Sequence, residues 1–127
     1  MNILVDTHIF LWAISKPDHL NHHHKAELET QANTVYLSAI SVAELTIKSS
    51  IGKLEVNFDP VAIALETGFQ ILSFSGDDAL QLKELPFHHK DPFDRMLITQ
   101  ALSNDYWIMT DDAKFSLYSC KLIAQKQ

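Results

Sequence analysis

Four acidic residues lie far apart in the sequence and are the first candidates for chemistry: Asp6, Glu44, Asp94 and Asp112. Asp6 directly follows the apolar run 3–5, and Asp112 comes soon after a second apolar run, 107–109. Such runs are typical of strands that are buried on both faces of a parallel sheet. An open parallel sheet binds ligands outside the carboxyl ends of its strands, at the switch point of the strand order. If these two strands are neighbours, Asp6 and Asp112 face one crevice.

Several carboxylates in one crevice repel each other and raise one another's pKa values, so the arrangement requires a cation. Oxygen ligands without cysteine or an obligatory histidine select hard divalent ions, and Mg²⁺ or Mn²⁺ fits best. One or two such ions activate a water, orient a phosphodiester and stabilise the leaving oxygen. The acids therefore predict metal-dependent hydrolysis of a phosphodiester bond.

Structural explanations compete with this interpretation at three of the four acids. Ser41 and Glu44 have the spacing of a capping box, and an acid in the first helical turn, such as Asp94, gains from the helix dipole. Asp111 is a neighbour of Asp112, and we expect Asp111 to cap a short helix and Asp112 to belong to the site. Asp6 closes an apolar strand, where we expect no clear capping role.

The elements that must position these acids alternate along the chain. Short apolar runs predict about five strands, at residues 3–5, 35–37, 69–72, 107–109 and 122–123. Helix signals fill the intervals, including Asp91-Pro92, where Asp91 can cap a helix and Pro92 suits its first position. Asp59-Pro60 and Asp77-Asp78 predict two further helix starts. The alternation predicts a three-layer, Rossmann-like α/β/α sandwich around a central parallel sheet.

The composition limits the class of protein. The length of 127 residues suits a single domain covering 1–127, and no composition shift suggests a linker. The formal net charge of −6 does not attract a polyanion unless bound cations invert the local field. The single cysteine, Cys120, fits a reducing compartment. No basic leader or apolar span is present in the sequence, so we expect a cytoplasmic protein that does not bind a membrane.

Four motifs resemble those of the PIN-domain family and, within it, the VapC-type toxins of bacterial toxin–antitoxin pairs. The resemblance covers nearly the whole chain, and the motifs occur in order and at suitable intervals. They lie at residues 3–8, 38–54, 89–98 and 109–115. In them Asp6, Glu44 and Asp94 fall on the metal-binding acids, and the Thr-x-Asp pattern at Thr110 selects Asp112, although Asp111 competes for that place.

The resemblance implies an endoribonuclease that depends on Mg²⁺ or Mn²⁺, with these four acids as catalytic residues and metal ligands. It also implies RNA as substrate, homodimerisation and inhibition by a cognate antitoxin. Three further residues are predicted substrate contacts: Lys48, Arg95 and Thr110. Lys48 has the alternative of a helical ion pair with Glu44, four residues earlier.

Other polar and aromatic segments have plain structural interpretations. The stretch 88–90 and Arg95 form either a solvated basic patch or contacts to phosphate. The stretch 22–24, His-His-His, is expected on a solvated helix face and not in a zinc site. The first helix is apolar on more than one face, which indicates deep burial or a surface for the antitoxin. Tyr106 and Trp107 are expected to be strand and core residues.

Two other functions compete with a nuclease. The first is a binding module of the same fold that holds RNA or a protein without hydrolysis. The second is a phosphotransfer enzyme with Asp6 as nucleophile, as in haloacid-dehalogenase-like phosphatases. Those enzymes need a second aspartate two residues later, where this chain has His8.

Overall fold

A computed structural model describes residues 1–124 and contains a five-stranded, wholly parallel sheet. The strands are β1 (Asn2–Val5), β2 (Thr34–Ser38), β3 (Gln70–Leu72), β4 (Trp107–Met109) and β5 (Lys121–Leu122). Their order across the sheet is β3-β2-β1-β4-β5. All five predicted strands and the parallel sheet are confirmed.

Within residues 1–124 six α-helices connect the strands: α1 (Thr7–Ser15), α2 (His22–Glu29), α3 (Ala39–Ser50), α4 (Pro60–Thr67), α5 (Gly76–Leu80) and α6 (Pro92–Asn104). Three short 3-10 helices complete the described chain, at Pro17–His19, Gln81–Lys83 and Ala113–Leu117. No helix among residues 1–124 is long and apolar enough to cross a membrane.

The two faces of the sheet are covered by different helices, because successive side chains of a strand point to opposite faces. On one face Ile3 and Val5 pack with Phe10 of α1 and Leu45 of α3. On the other face Leu4 and Ile108 join a second cluster, made mainly by α6 and the 3-10 helix Ala113–Leu117. These two cores on either side of one sheet confirm the three-layer α/β/α prediction.

The helix starts test the capping predictions. Asp59 and Asp91 cap α4 and α6, each with proline at the first helical position, as predicted. The predicted start at Asp77-Asp78 is shifted slightly, because Ser75 caps α5 in a capping box with Asp78.

The predicted capping box of Ser41 and Glu44 is wrong. Helix α3 begins three residues earlier, at Ala39, and Ser38 is its N-cap through a 2.9 Å bond from the backbone N–H of Ile40. Strand β2 ends at Ser38 and α3 follows without a loop, so the strand end and the helix cap are one residue. Glu44 therefore lies inside the helix, and capping does not explain its presence.

The prediction for the histidine stretch is wrong at one position. His22 and His23 are exposed on α2, but His24 is buried and 1% exposed. Burial lowers the pKa of the His24 imidazole, against weaker opposing effects of the nearby backbone of Ile123. Among residues 1–124 no group hydrogen-bonds to its Nε2 atom. His24 belongs to the packing between α2 and the end of the sheet.

Candidate active site

The strand order brings the first and fourth strands together. Strands β2 and β4 lie on opposite sides of β1, so the switch point lies between β1 and β4. Val5 pairs with Met109 at the carboxyl ends of these strands, and the backbone N–H of Asp6 donates to the Met109 carbonyl over 3.0 Å. The two strands are therefore neighbours, which is the condition under which Asp6 and Asp112 were predicted to face one crevice.

A cavity of about 420 Å³ opens at this edge of the sheet. All four predicted acids line it: Asp6, Glu44, Asp94 and Asp112. The remaining lining residues are Thr7, His8, Trp12, Lys48, Asp91 and Asp111. Acids that are up to 106 positions apart in sequence thus share one concave surface.

Asp6 is fixed by hydrogen bonds to both of its carboxylate oxygens. The backbone N–H of Ile9 donates to Oδ1 over 2.8 Å, and the Thr110 hydroxyl donates to Oδ2 over 2.5 Å. Asp6 is therefore the N-cap of α1, a structural role that we did not expect from the sequence. The side chain is buried, so it combines capping with a place at the floor of the cavity.

Glu44 is also held on both oxygens. The Thr7 hydroxyl donates to Oε1 over 2.7 Å, and the Lys48 ammonium lies 2.6 Å from Oε2. The Thr7 hydroxyl also lies 2.9 Å from that of Ser41, one helical turn before Glu44. Helices α1 and α3 thus fix the Glu44 carboxylate between them at the cavity wall.

Asp94 and Asp112 approach each other through a histidine. Asp94 is the third residue of α6, and its Oδ2 lies 3.0 Å from Nε2 of His89. Oδ2 of Asp112 lies 2.8 Å from the same nitrogen atom. One ligand atom from each of these three side chains lies within 4.8 Å of the others, a grouping able to hold a metal ion.

The structure shows which of the two adjacent acids, Asp111 or Asp112, caps the helix that follows them. Asp112, not Asp111, caps the 3-10 helix Ala113–Leu117, with its Oδ1 accepting from the backbone N–H of Lys114 over 2.9 Å. The expectation that Asp111 caps is wrong. Asp112 takes part in the acid–histidine group as well, whereas Asp111 lines the cavity as an exposed residue.

The electrostatics of the cavity follow from burial and crowding. Burial raises the pKa of the Asp6 carboxyl to about 6, although its bonds from Thr110 and Ile9 oppose the shift. Burial also raises the pKa of Asp94, to about 8, and the charges of Asp91, Asp6, Glu44 and Asp112 add to the effect. Without a cation, some of these carboxyl groups therefore keep their proton near neutral pH.

These donors fit a divalent cation. Carboxylates that are raised in pKa by burial and by one another gain the most from a nearby positive charge. The four acids offer only oxygen atoms to the cavity, which suits Mg²⁺ or Mn²⁺, whereas the compact grouping of Asp94 and Asp112 also contains the Nε2 atom of His89. Lys48 is the single lysine or arginine among the residues lining the cavity, and its bond to Glu44 raises the Lys48 pKa.

The three predicted substrate contacts occupy different environments. Lys48 pairs with Glu44, as the ion-pair alternative required, and its side chain is 38% exposed at the cavity. Thr110 is fully buried, and its hydroxyl links Asp6 to the backbone N–H of Asp112, which favours a positioning role.

Arg95 does not line the cavity. Its guanidinium donates to the backbone carbonyls of Leu82, Leu85 and Pro86, and it lies 4.8 Å from the ring centroid of Phe87. This placement fixes the segment before α6 and does not support contact between Arg95 and a substrate. Substrate contact by Arg95 and by Thr110 stays a prediction.

Two residues of the site were missed by sequence reasoning. Thr7 received no role, although its place directly after Asp6 put its hydroxyl at the same strand end. His89 was expected either in a solvated basic patch or in contact with phosphate, but it is buried between Asp94 and Asp112. The signal for His89 was its place two residues before the Asp91-Pro92 cap, on the segment that enters the site.

Comparisons with known proteins agree with this geometry. The family model described as PIN domain matches residues 3–119. No curated protein matches the sequence significantly. Among solved structures, the chain is similar to VapBC2 from Rickettsia felis bound to a promoter DNA fragment, with a TM-score of 0.73 and 21% identity over 96% of this chain and 97% of that chain.

Two other structures show the same fold. VapBC-1 from nontypeable Haemophilus influenzae has a TM-score of 0.66 and 19% identity, with 96% of each chain covered. VapC20 from Mycobacterium tuberculosis, a toxin that cleaves the sarcin-ricin loop, has a TM-score of 0.60 and 19% identity over 93% of this chain and 95% of that chain. The family model covers almost the entire described chain, and the protein belongs to the PIN domain family.

Proposed function

We propose that this protein is a VapC-type endoribonuclease, the toxin of a toxin–antitoxin pair, and that it hydrolyses RNA phosphodiester bonds with Mg²⁺ or Mn²⁺. The observation that carries the proposal is the cavity at the sheet switch point, where four carboxylates from four different elements meet. Family membership and the resemblance to VapC structures support it.

The metal ligands in this proposal are Asp6, Glu44, Asp94 and Asp112. A bound divalent ion supplies a more acidic water and a positive charge for the phosphate oxygens. The protein's own contribution is to hold the carboxylates in place before substrate arrives. Thr110 and the N-terminus of α1 hold Asp6, and Thr7 and Lys48 hold Glu44. Such hydrogen-bonding partners orient metal ligands and tune their basicity.

The phosphotransfer alternative is disfavoured by the surroundings of Asp6. A nucleophilic carboxylate needs an oxygen with free access to phosphorus. Here Oδ1 accepts from the Ile9 N–H, Oδ2 accepts from the Thr110 hydroxyl, and the residue is 6% exposed. A carboxylate held in this way is suited to binding a cation.

An antitoxin and a second copy of the chain are the proposed protein partners. Several of the structural neighbours are complexes of a toxin with an antitoxin. Exposed apolar side chains occur on α3 and at its C-cap, at Ile47 and Ile51, and on α4, at Val61 and Leu65. We propose that these side chains take part in the contact with the antitoxin.

The direct test is cleavage of structured RNA, with a sarcin–ricin hairpin as one substrate, by the purified chain in Mg²⁺ or Mn²⁺. We expect cleavage that stops with chelator and returns when the ion is restored. Asp94→Asn should lower the rate at least about 100-fold without unfolding the protein. The exposed Asp18→Asn serves as matched control. Binding of RNA without cleavage under all ion conditions would support the binding-module alternative and overturn the enzyme.

A further inference from the structure

His89 is a buried histidine in contact with two of the four acids, Asp94 and Asp112, and none of the functions proposed above uses it. It lies on the segment before α6 and is 6% exposed. Its Nε2 atom lies 2.8 Å from Asp112 and 3.0 Å from Asp94, both at Oδ2. These two acids come from different elements, the first turn of α6 and the segment after β4.

The hydrogen bonds around the ring assign its tautomer. The backbone N–H of Asp91 donates to Nδ1 over 3.2 Å, so Nδ1 carries a lone pair and not a hydrogen. The hydrogen of a neutral ring is then on Nε2, where it faces both carboxylates. His89 is thus a donor to Asp94 and Asp112 at once.

Two aromatic residues hold the backbone and the ring of His89. The Tyr118 hydroxyl accepts from the backbone N–H groups of His88 and His89, over 3.0 and 2.9 Å. Phe115 packs against the His89 ring at an interplanar angle of 90°, with 5.8 Å between the ring centroids. Both aromatic residues are buried and lie after Asp112 in the chain. The histidine therefore connects the start of α6 to the segment that carries Asp112.

We propose that His89 is a positioning residue whose Nε2–H, donated to Asp94 and Asp112, sets the distance between these carboxylates at which a divalent cation binds. The proposal rests on the proposed function, because it assumes that these acids hold the ion. Each bond from His89 goes to an Oδ2 atom, and Oδ1 of Asp112 already accepts from the backbone N–H of Lys114, so a bound ion shares these oxygens with their donors or replaces one of the bonds. Partners of this kind outside the ligand set typically contribute 10–100-fold to metal affinity.

Titration of the full chain with Mn²⁺ alone tests this proposal, with the bound ion measured by electron paramagnetic resonance. We expect His89→Leu to weaken Mn²⁺ binding about 10–100-fold, because the donor is lost and two carboxylates are left to repel each other. His89→Gln keeps an N–H donor and should recover much of the affinity. The exposed His22→Gln is the matched control and should bind like the wild type.

The outcomes separate the two proposals. If wild type and His89→Leu bind Mn²⁺ equally, the positioning role is overturned while the metal-dependent function stands. If the wild type binds no Mn²⁺, the function itself fails and the inference fails with it.

A second measurement remains informative if His89→Leu does not fold. Nitrogen NMR of the wild-type histidine rings should show the hydrogen on Nε2 of His89, with and without Mg²⁺. Loss of that hydrogen when Mg²⁺ binds would make His89 a direct ligand and overturn the positioning role.

Discussion

The buried carboxylate of Asp6 leads to a counterintuitive prediction: removing this proposed metal ligand stabilises the ion-free protein. Burial raises the pKa of Asp6 from 3.8 to about 6, so the folded protein holds this proton more tightly than the unfolded chain does. The free energy of unfolding therefore falls as the pH rises from about 4 to above 6, and the loss is complete above the folded pKa.

The size of the effect follows from the shift. A difference of about two pKa units corresponds to about 3 kcal/mol at pH 8, and about half of that is already present at pH 5. An amide at position 6 does not ionise and still accepts from the Ile9 N–H. The Thr110 hydroxyl, however, loses its charged acceptor, which costs about 1 kcal/mol. We therefore expect Asp6→Asn to raise the free energy of unfolding by about 1–2 kcal/mol at pH 8.

The assay is urea unfolding in chelator at pH 5 and pH 8, repeated with saturating Mg²⁺. In chelator Asp6→Asn should be more stable than the wild type, and by a larger margin at pH 8. With Mg²⁺ the order should reverse, because an ion at 100 times its dissociation constant stabilises the wild type by about 2.7 kcal/mol. Asp18→Asn, at an exposed acid, should show neither effect. A variant that is less stable in chelator at pH 8, or whose advantage is the same at both pH values, would refute the reasoning.

Three further predictions follow from the site and its surroundings. Asp112→Asn should lower kcat/KM for RNA cleavage at least about 100-fold, and Asp111→Asn less than about 10-fold, because of these two neighbours it is Asp112 that contacts His89. Equal losses in the two variants would contradict the assignment of Asp112 to the site. Arg95→Met removes the donors to three backbone carbonyls and should lower the free energy of unfolding, measured in urea, by about 1–3 kcal/mol, while the folded variant still cleaves RNA. Unchanged stability would argue against a role of Arg95 in fixing the segment before α6. Because burial lowers the pKa of His24 below 6.5, the wild type loses stability as the pH falls through 6.5, and thermal unfolding of His24→Leu should show a smaller loss between pH 7 and pH 5.

Much of the fold could be predicted because its signals are local. Each apolar run of the sheet is contiguous, and the Asp59-Pro60 and Asp91-Pro92 pairs contain both the cap and the first helical residue. The start of α3 could not be predicted in the same way. Ser38 and Ser41 are both good caps, and the choice of Ser38 depends on where β2 stops pairing with its neighbours.

In the candidate site, too, local features could be predicted from the sequence, whereas long-range contacts could not. Glu44 lines the cavity, and its ion pair with Lys48, four residues later on α3, was one of the two alternatives that the sequence offered. The bond from Thr7 to Glu44, in contrast, depends on the packing of α1 against α3. His24 and His89 each stand in a polar stretch, and both are buried. Burial of an isolated polar residue depends on what the rest of the chain packs over it, which the local pattern does not contain.

The sequence by itself determined the five strands, the α/β alternation and the place of three acids, Asp6, Asp94 and Asp112, at strand ends or helix starts, since each of these signals is complete within a few residues. The tertiary structure alone decided that β4 lies beside β1, that the acids share one cavity, and that His89 lies between Asp94 and Asp112. The physical reason is that strand order and side-chain burial are set by long-range packing, in which residues more than a hundred positions apart come into contact.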